Sequence, residues 1–235
     1  MRLLACCGLL SVAILSGCTS RPATTATQTA APSPSTIPNT NHGVARNTAQ
    51  QTLPAGATQL FDGKTLSGWR VSDFAGKGPV RVEDGKLILE MGTMTGVTYT
   101  NDIPTMNYEI GVEAMRVDGS DFFCGLTFPV GKDPCSLIVG GWGGGVVGLS
   151  SLDGQDAANN ETTQYINFEK GRWYRVRLRV MPTKIQAWID DDKVIDAETA
   201  DRRISIRLEV EESRPLGFAS WSTTAALRNI YLRKL

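Results

Sequence analysis

Apolar and polar residues alternate along most of the chain from residue 57 onward, with a period of two rather than the longer period of a helix. Such alternation predicts β-strands that turn one face toward a core and the other toward solvent. The clearest runs are residues 108–117, 173–180, 184–189 and 226–235, and arginines fill the polar positions of the second. Four tryptophans in or beside such segments are predicted core residues: Trp69, Trp173, Trp188 and Trp221.

Turn signals separate these runs at short intervals. Asp84 and Gly85 lie between residues 80–83 and 86–90, and an Asp-Gly pair between alternating segments predicts a tight hairpin. The aspartates at 190–192 are predicted to form another turn, since the spaced ligands and distal glutamate of an EF-hand are missing. Many short strands without an internal repeat of fixed period favour an all-β sandwich over a propeller or a solenoid.

The first residues of the chain have the pattern of an export signal. Arg2 is followed by an apolar run that ends at Leu15 and is too short to span a bilayer, and Ser16, Gly17 and Cys18 come next. An ordinary signal peptide is one interpretation. The L-S-G-C spelling also resembles a bacterial lipoprotein cleavage site, which implies removal of residues 1–17 and lipidation of Cys18. The resemblance further implies a location in the cell envelope, at the outer membrane because no aspartate follows Cys18.

Residues 18–56 consist mainly of Thr, Ala, Pro, Ser, Asn and Gln. A segment of this composition buries too little apolar surface to offset its ordering entropy, so it is predicted to be a flexible tether. Residues 57–235 are then a single domain with its own core, a length at which one core suffices.

Charge and histidine content exclude several classes of function. Lys and Arg number 24, as do Asp and Glu, and no basic patch is visible, which argues against nucleic acid as a partner. The single histidine, His42, falls in the predicted tether. A domain without imidazole has no Ser-His-Asp triad, no Cys-His pair and no histidine zinc site. No cofactor is predicted, although a Ca²⁺ ion at a sandwich loop stays an open alternative.

The predicted domain contains two cysteines, Cys124 and Cys135. In an exported domain two thiols suggest a disulfide. A tight hairpin at residues 130–133 would place Cys135 opposite Phe128, so the disulfide requires a looser loop there. Two small buried apolar side chains are the alternative.

A glycine-rich run at residues 140–148 surrounds Trp142. Its glycines formally satisfy G-x-G-x-x-G, but no βαβ unit surrounds them, which excludes a dinucleotide site. A bent strand or a strand-to-strand loop is one interpretation. The other is a substrate site in which Gly143 and Gly144 form a bare backbone floor and Trp142 stacks on a sugar ring.

The polar loop at residues 150–163 follows directly and is long enough to carry function. Its carboxylates, Asp153, Asp156 and Glu161, are predicted to reach a site beside Trp142, and a solvated loop is the alternative. Asp121 is a fourth candidate carboxylate.

Residues 60–69 read L-F-D-G-K-T-L-S-G-W: an apolar strand end, two glycine turns and an aromatic residue that returns to the core. With the hairpins and the closing strand, this pattern resembles the 3-keto-disaccharide hydrolase domain family over most of residues 58–235. The resemblance implies a concanavalin A-like (LamG-like) jelly-roll β-sandwich of two antiparallel sheets. One departure concerns residues 120–129, where Pro129 stands in place of the arginine that ends a related segment in the family.

The resemblance also implies action on the glycosidic bond of sugars already oxidised to a ketone at C3. Elimination from such a sugar needs a base, a group that polarises the ketone and an acid, but no histidine. A carbohydrate-binding module without catalysis and a structural surface lipoprotein are the alternatives, and the sequence leaves open whether the chain is an enzyme. The predicted base is one of Asp121, Asp153, Asp156 and Glu161, and Arg175 or Arg177 is the predicted polarising residue.

Overall fold

The computed structural model describes residues 53–235, so the predicted signal, Cys18 and nearly all of the predicted tether lie outside the described residues. Within that range no helix is long and apolar enough to cross a membrane. Among residues 53–235 the one helical element is a 3₁₀ helix at Leu208–Ser213. The strands, in chain order, are β1 (Ala57–Gln59), β2 (Trp69–Val71), β3 (Val80–Glu83), β4 (Lys86–Leu89), β5 (Met94–Tyr99), β6 (Tyr108–Gly119), β7 (Cys124–Val130), β8 (Asp133–Gly141), β9 (Val146–Ser150), β10 (Gln164–Tyr165), β11 (Trp173–Met181), β12 (Lys184–Ile189), β13 (Asp192–Glu198), β14 (Gly217–Trp221) and β15 (Thr223–Lys234).

These strands form two antiparallel sheets. The eight-stranded sheet has the order β13-β12-β11-β6-β15-β4-β3, with β1 paired to β15. The seven-stranded sheet has the order β10-β9-β8-β7-β14-β5-β2. The all-β sandwich predicted from the alternation is confirmed, and the hairpins β3–β4 and β12–β13 lie at the predicted turns.

The main core lies between the two sheets, because alternate residues of facing strands point into it. Ile110 and Leu178 of the eight-stranded sheet are fully buried there, as are Leu137 and Phe218 of the seven-stranded sheet. The opposite positions of β11 carry arginines, as the sequence predicted.

The inner strands of the seven-stranded sheet are buried on both faces, whereas its edge strands β2 and β10 have exposed residues. Every residue of β7 and β9 is buried, although a strand with one solvent face would alternate. Residues of the opposite parity form a second apolar cluster on the outer face, where the 150–163 loop and the 3₁₀ helix contribute to it. Its members are Phe74, Met94, Phe122, Ile138, Val146, Ala157, Val210 and Ala219.

The opening decapeptide has the turn and core roles predicted for it. The Asp62 carboxylate accepts hydrogen bonds from the backbone N–H groups of Lys64 and Thr65, both at 2.8 Å. These bonds lower the pKa of Asp62. Phe61 and Trp69 are buried, and the indole N–H of Trp69 donates to the Leu60 carbonyl at 2.8 Å.

Of the two alternatives for Cys124 and Cys135, the structure excludes the disulfide and has two buried thiols. Strands β7 and β8 form a tight hairpin in which Cys135 pairs with Phe128 and Cys124 with Val139. Four residues along a strand correspond to about 13 Å, beyond the reach of a disulfide. Both thiols are free and fully buried, and burial raises the pKa of each to about 12.

Candidate functional site

A cavity of about 200 Å³ opens on the outer face of the seven-stranded sheet. We call it the Trp142 cavity. Its lining is mainly apolar and aromatic, with hydroxyl groups on the sheet and charged groups from the segment that includes the 3₁₀ helix. The lining residues are Met94, Asp121, Phe122, Ser136, Ile138, Trp142, Ser150, Arg207, Glu209, Val210 and Trp221.

Trp142 lies at the rim of the cavity because of the glycine-rich run. Strand β8 ends at Gly141 and β9 begins at Val146, so the run is a strand-to-strand turn, with a register shift before Gly141. Trp142 has a positive φ of 49° and its residue surface is 45% exposed. The turn therefore has the structural role that the sequence allowed, and it also exposes an aromatic face.

Gly143 and Gly144 differ in what their backbone groups contact. The Gly143 N–H donates to the Asp121 carboxylate at 3.2 Å, and a Cβ at Gly143 would meet no other atom within 4 Å. The Gly144 carbonyl instead accepts a hydrogen bond from Arg116 at 2.8 Å. Gly143 is thus bonded to a residue that lines the cavity, whereas the hydrogen bond from Arg116 to Gly144 stabilises the turn.

Asp121 is the predicted carboxylate that the structure brings to Trp142. Its side chain accepts backbone hydrogen bonds from Phe122 at 2.7 Å and from Gly143. In the part of the chain that the structure describes, it makes no ion pair, unlike the carboxylates of the neighbouring loop. A carboxylate without an ion-pair partner, beside an aromatic face, is suited to accept a proton or a hydrogen bond from a sugar hydroxyl group.

Arg116 holds the two segments that carry Asp121 and Trp142, and the sequence interpretation missed it. Its guanidinium donates to the backbone carbonyls of Asp121 at 3.1 Å, Gly140 at 3.1 Å and Gly144 at 2.8 Å, and more weakly to Phe168. The residue is 5% exposed, and burial lowers its pKa. The sequence did contain a signal for this buried position, because Arg116 falls on the alternate residues of β6 that face the core.

Asp153 and Glu161 do not line the Trp142 cavity, which corrects the prediction that they lie beside Trp142. Both pair with Arg202, at 2.6 and 2.5 Å, and Asp153 also accepts the backbone N–H of Arg203. That backbone bond and the Arg202 side chain lower the pKa of Asp153, and Arg202 lowers the pKa of Glu161. Their role is to join the 150–163 loop to the segment after β13.

Asp156 reaches the cavity indirectly, through Arg207. One of its oxygens lies 3.1 Å from the Arg207 guanidinium, which also pairs with Glu209 at 2.8 Å. The hydrogen bond from Arg207 lowers the pKa of Glu209, so Glu209 is ionised. Asp156 and Glu209 together orient a guanidinium at the cavity wall.

Arg175 lies on the other side of the molecule from Trp142, on the outer face of the eight-stranded sheet, where it pairs with Asp191 at 2.8 Å. The prediction that it shares a site with Trp142 is therefore wrong, because β11 belongs to the opposite sheet. Trp173 and Trp188 lie on the same outer face beneath arginines and are not core residues. Among the described residues there is no group of three or more His, Cys, Asp or Glu that could hold a metal ion.

Comparison with family models decides where the chain belongs. The model of the 3-keto-alpha-glucoside-1,2-lyase-like domain matches residues 56–233. The chain belongs to this family. The resemblance seen in the opening decapeptide and the hairpins is thereby confirmed.

Solved structures share the fold of this 3-keto-alpha-glucoside-1,2-lyase-like domain at low sequence identity. A glycosyl hydrolase candidate from Parabacteroides distasonis is 14% identical with a TM-score of 0.51, and the match covers 77% of this chain and 94% of that one. A Crh5 transglycosylase in complex with NAG is 12% identical with a TM-score of 0.54, covering 77% and 84%. No curated protein matches the chain. The fold is thus that of carbohydrate-related glycosyl hydrolase-like proteins.

Proposed function

We propose that the Trp142 cavity binds a glycoside oxidised to a ketone at C3 and that the chain cleaves its glycosidic bond. Asp121 is the residue that carries this proposal. Its carboxylate lies in one cavity with two tryptophans, Trp142 and Trp221, and makes no ion pair among the described residues. Membership of the 3-keto-alpha-glucoside-1,2-lyase-like family supports the substrate class.

A ketone at C3 acidifies the proton on C2 of such a sugar. Asp121 would remove this proton, the C2–H electron pair would form a C1–C2 double bond, and the C1–O bond would break. The glycosidic oxygen leaves with its electron pair and takes up a proton, so that an alcohol departs. Addition of water across the double bond then gives net hydrolysis, whereas release of the unsaturated sugar gives a lyase.

Arg207 is placed to polarise the ketone oxygen in this scheme. Its guanidinium lines the cavity, and its two carboxylate partners fix its position. A preoriented cation at a developing oxyanion lowers the barrier because it does not have to reorganise during the reaction. Glu209, held ionised by Arg207, is poorly suited to act as the acid, so the protonated Asp121 would return its proton to the leaving oxygen.

A carbohydrate-binding module without catalysis is the second candidate. The apolar lining of the Trp142 cavity and its two tryptophans favour stacking on a sugar, which needs no base. In this case Asp121 would accept hydrogen bonds from sugar hydroxyl groups and would not remove a proton.

The test is incubation of the purified full chain with a 3-keto disaccharide and with the same disaccharide unoxidised, with and without added Ca²⁺, followed by product analysis. We expect cleavage of the 3-keto sugar alone. Asp121→Asn should lower the rate about 10²–10⁴-fold, the usual contribution of a general base. Asp153→Asn is the matched control, since Asp153 lies outside the cavity, and it should leave the rate unchanged.

Cleavage that survives in Asp121→Asn would refute the assignment of the base. Absence of cleavage of any 3-keto glycoside under both Ca²⁺ conditions would refute the enzyme. Saturable glycan binding without turnover, lost in Trp142→Ala, would support the binding module instead.

We further propose that the chain is exported and anchored in the cell envelope through lipid on Cys18. The signal-like run and the L-S-G-C sequence support this location. Cys18→Ser should move the protein from the detergent phase to the aqueous phase in phase partition, and an unchanged distribution would contradict the anchor.

A further inference from the structure

The outer face of the eight-stranded sheet carries a cross-strand array of charged side chains around Glu109. In the register of β11, β6 and β15, Arg179 pairs with Glu109, which in turn pairs with Arg233. Two residues further along each strand, on the same face of the sheet, Arg177 and Tyr231 pair with Gly111 from its two sides. A Cβ at Gly111 would lie 2.1 Å from the Tyr231 ring, so glycine is what lets this ring lie over β6.

Glu109 is buried on this otherwise polar face, with a side chain only 1% exposed. Arg179 lies 2.6 Å from its carboxylate, Arg233 lies 3.1 Å away and Arg177 3.3 Å away. The Tyr231 hydroxyl donates to the same carboxylate at 3.2 Å. Three guanidinium groups thus converge on one carboxylate.

The charges of this array do not balance. Three arginines against one glutamate leave a charge of +2 around Glu109. Each carboxylate beside the array has an arginine of its own, since Glu113 pairs with Arg228, Asp190 with Arg172 and Asp191 with Arg175. The excess is therefore confined to the surroundings of Glu109.

A cavity of about 320 Å³ opens beside this excess charge. We call it the Glu109 cavity. Arg177 and Arg233 line it, together with Tyr231 and Asn229. Arg175 and four carboxylates also line it, and each of these carboxylates is paired with at least one arginine: Glu109, Glu113, Asp190 and Asp191. The Nε of Arg233 is buried without a hydrogen-bond partner among the described residues. The Arg177 guanidinium lies 4.0 Å from the centre of the Trp188 ring, and this stacking holds the guanidinium in place.

We propose that the Glu109 cavity binds the carboxylate or phosphate group of an anionic sugar, independently of the Trp142 cavity. Arg177 and Arg233 bind the oxyanion, and their planar N–H groups suit its oxygens. The Tyr231 hydroxyl donates to Glu109 and the Asn229 side-chain nitrogen donates to Glu113, so the oxygens of both side chains would accept hydrogen bonds from the sugar hydroxyl groups. The volume falls in the range of about 300–1,000 Å³ that is typical of small-molecule sites.

The test is titration of the purified full chain with glucuronate, glucose 6-phosphate, glucose and inorganic phosphate, followed by calorimetry. We expect saturable binding of at least one anionic sugar, weaker binding of inorganic phosphate and no binding of glucose. Arg177→Gln and Arg233→Gln should each weaken that binding at least about tenfold, since each removes a charge-assisted hydrogen bond. Arg81→Gln is the matched control, an exposed arginine of β3 that pairs with Glu90 and lies outside the cavity.

Failure of both anionic sugars to bind would overturn the proposal, and so would binding that Arg177→Gln and Arg233→Gln leave unchanged. Inorganic phosphate that binds as tightly as the sugars would overturn the recognition of a sugar. Melting temperatures of each variant identify loss of folding. Asp121→Asn should leave this binding intact, so the result is distinguishable from a failure of the proposed cleavage.

Discussion

Replacement of Arg116 by methionine should destabilise the fold more than loss of any exposed arginine. The guanidinium Nη2 donates to three backbone carbonyls at 3.1 Å or shorter and shares its two hydrogens among them, so these contacts count as two hydrogen bonds. Bonds from a charged donor contribute about 1.5–3 kcal/mol each, or roughly 3–6 kcal/mol for two. These values already include the cost of taking the groups out of water. We therefore expect the free energy of unfolding to fall by about 3–5 kcal/mol.

Thermal unfolding measures this loss directly. In a domain of this size each kcal/mol corresponds to about 2–4 °C, so the melting temperature of Arg116→Met should fall by about 6–20 °C. Arg116→Lys keeps the charge but cannot reach all of the carbonyls, and its melting temperature should be intermediate. Arg81→Met is the control, because exposed ion pairs contribute about 0–1 kcal/mol.

Amide hydrogen exchange adds a local measurement. Arg116 holds the Gly140 and Gly144 carbonyls, so exchange in the glycine-rich turn should accelerate in Arg116→Met before the rest of the sheet opens. A melting temperature equal to that of Arg81→Met would show that the desolvation cost cancels the hydrogen bonds, and the reasoning would then be refuted.

Two further predictions concern Glu109 and the thiols. Burial alone raises the pKa of Glu109, but hydrogen bonds and charges of Arg179, Arg233 and Arg177 outweigh it and hold the pKa below its ordinary 4.5. The ionised Glu109 therefore stabilises the folded state above pH 4.5, and this stabilisation is lost as the pH falls through the lower pKa of the folded state. Glu109→Gln should remove this pH dependence, so that the free energy of unfolding, measured with urea, falls less steeply toward acid pH than in the unmodified protein. Parallel curves for the two proteins would contradict this. Peptide mapping without reduction should find Cys124 and Cys135 as free thiols, and a cross-linked peptide would show otherwise.

The strands and hairpins could be predicted because their signals are local. Alternation in residues 108–117 and the turn at Asp84 and Gly85 depend only on neighbouring residues. The same parity, applied strictly, would have placed Trp173 outward with Arg175, and Arg116 inward with Ile110. Trp173 was instead predicted to lie in the core because tryptophan is large and apolar, and Arg116 was assigned no role.

The candidate site could be predicted only in part, because much of it depends on contacts distant in sequence. Trp142 stood out through its glycines, whereas Asp121 was one of four candidate carboxylates. The pairing of Asp153 and Glu161 with Arg202 joins segments about forty to fifty residues apart, for which one sequence has no local signal. Arg207 and Trp221 also reach the cavity from segments distant in sequence from Trp142, so no local pattern indicates that they line it.

The position of the two cavities in the sandwich has a consequence for how this protein can change. The two cavities open on opposite outer faces, with both sheets and the main core between them. Substitutions in one cavity share no contacts with the other, so their effects on stability should add. Evolution or protein engineering can therefore alter what one side of the sandwich binds while the other side keeps its own specificity.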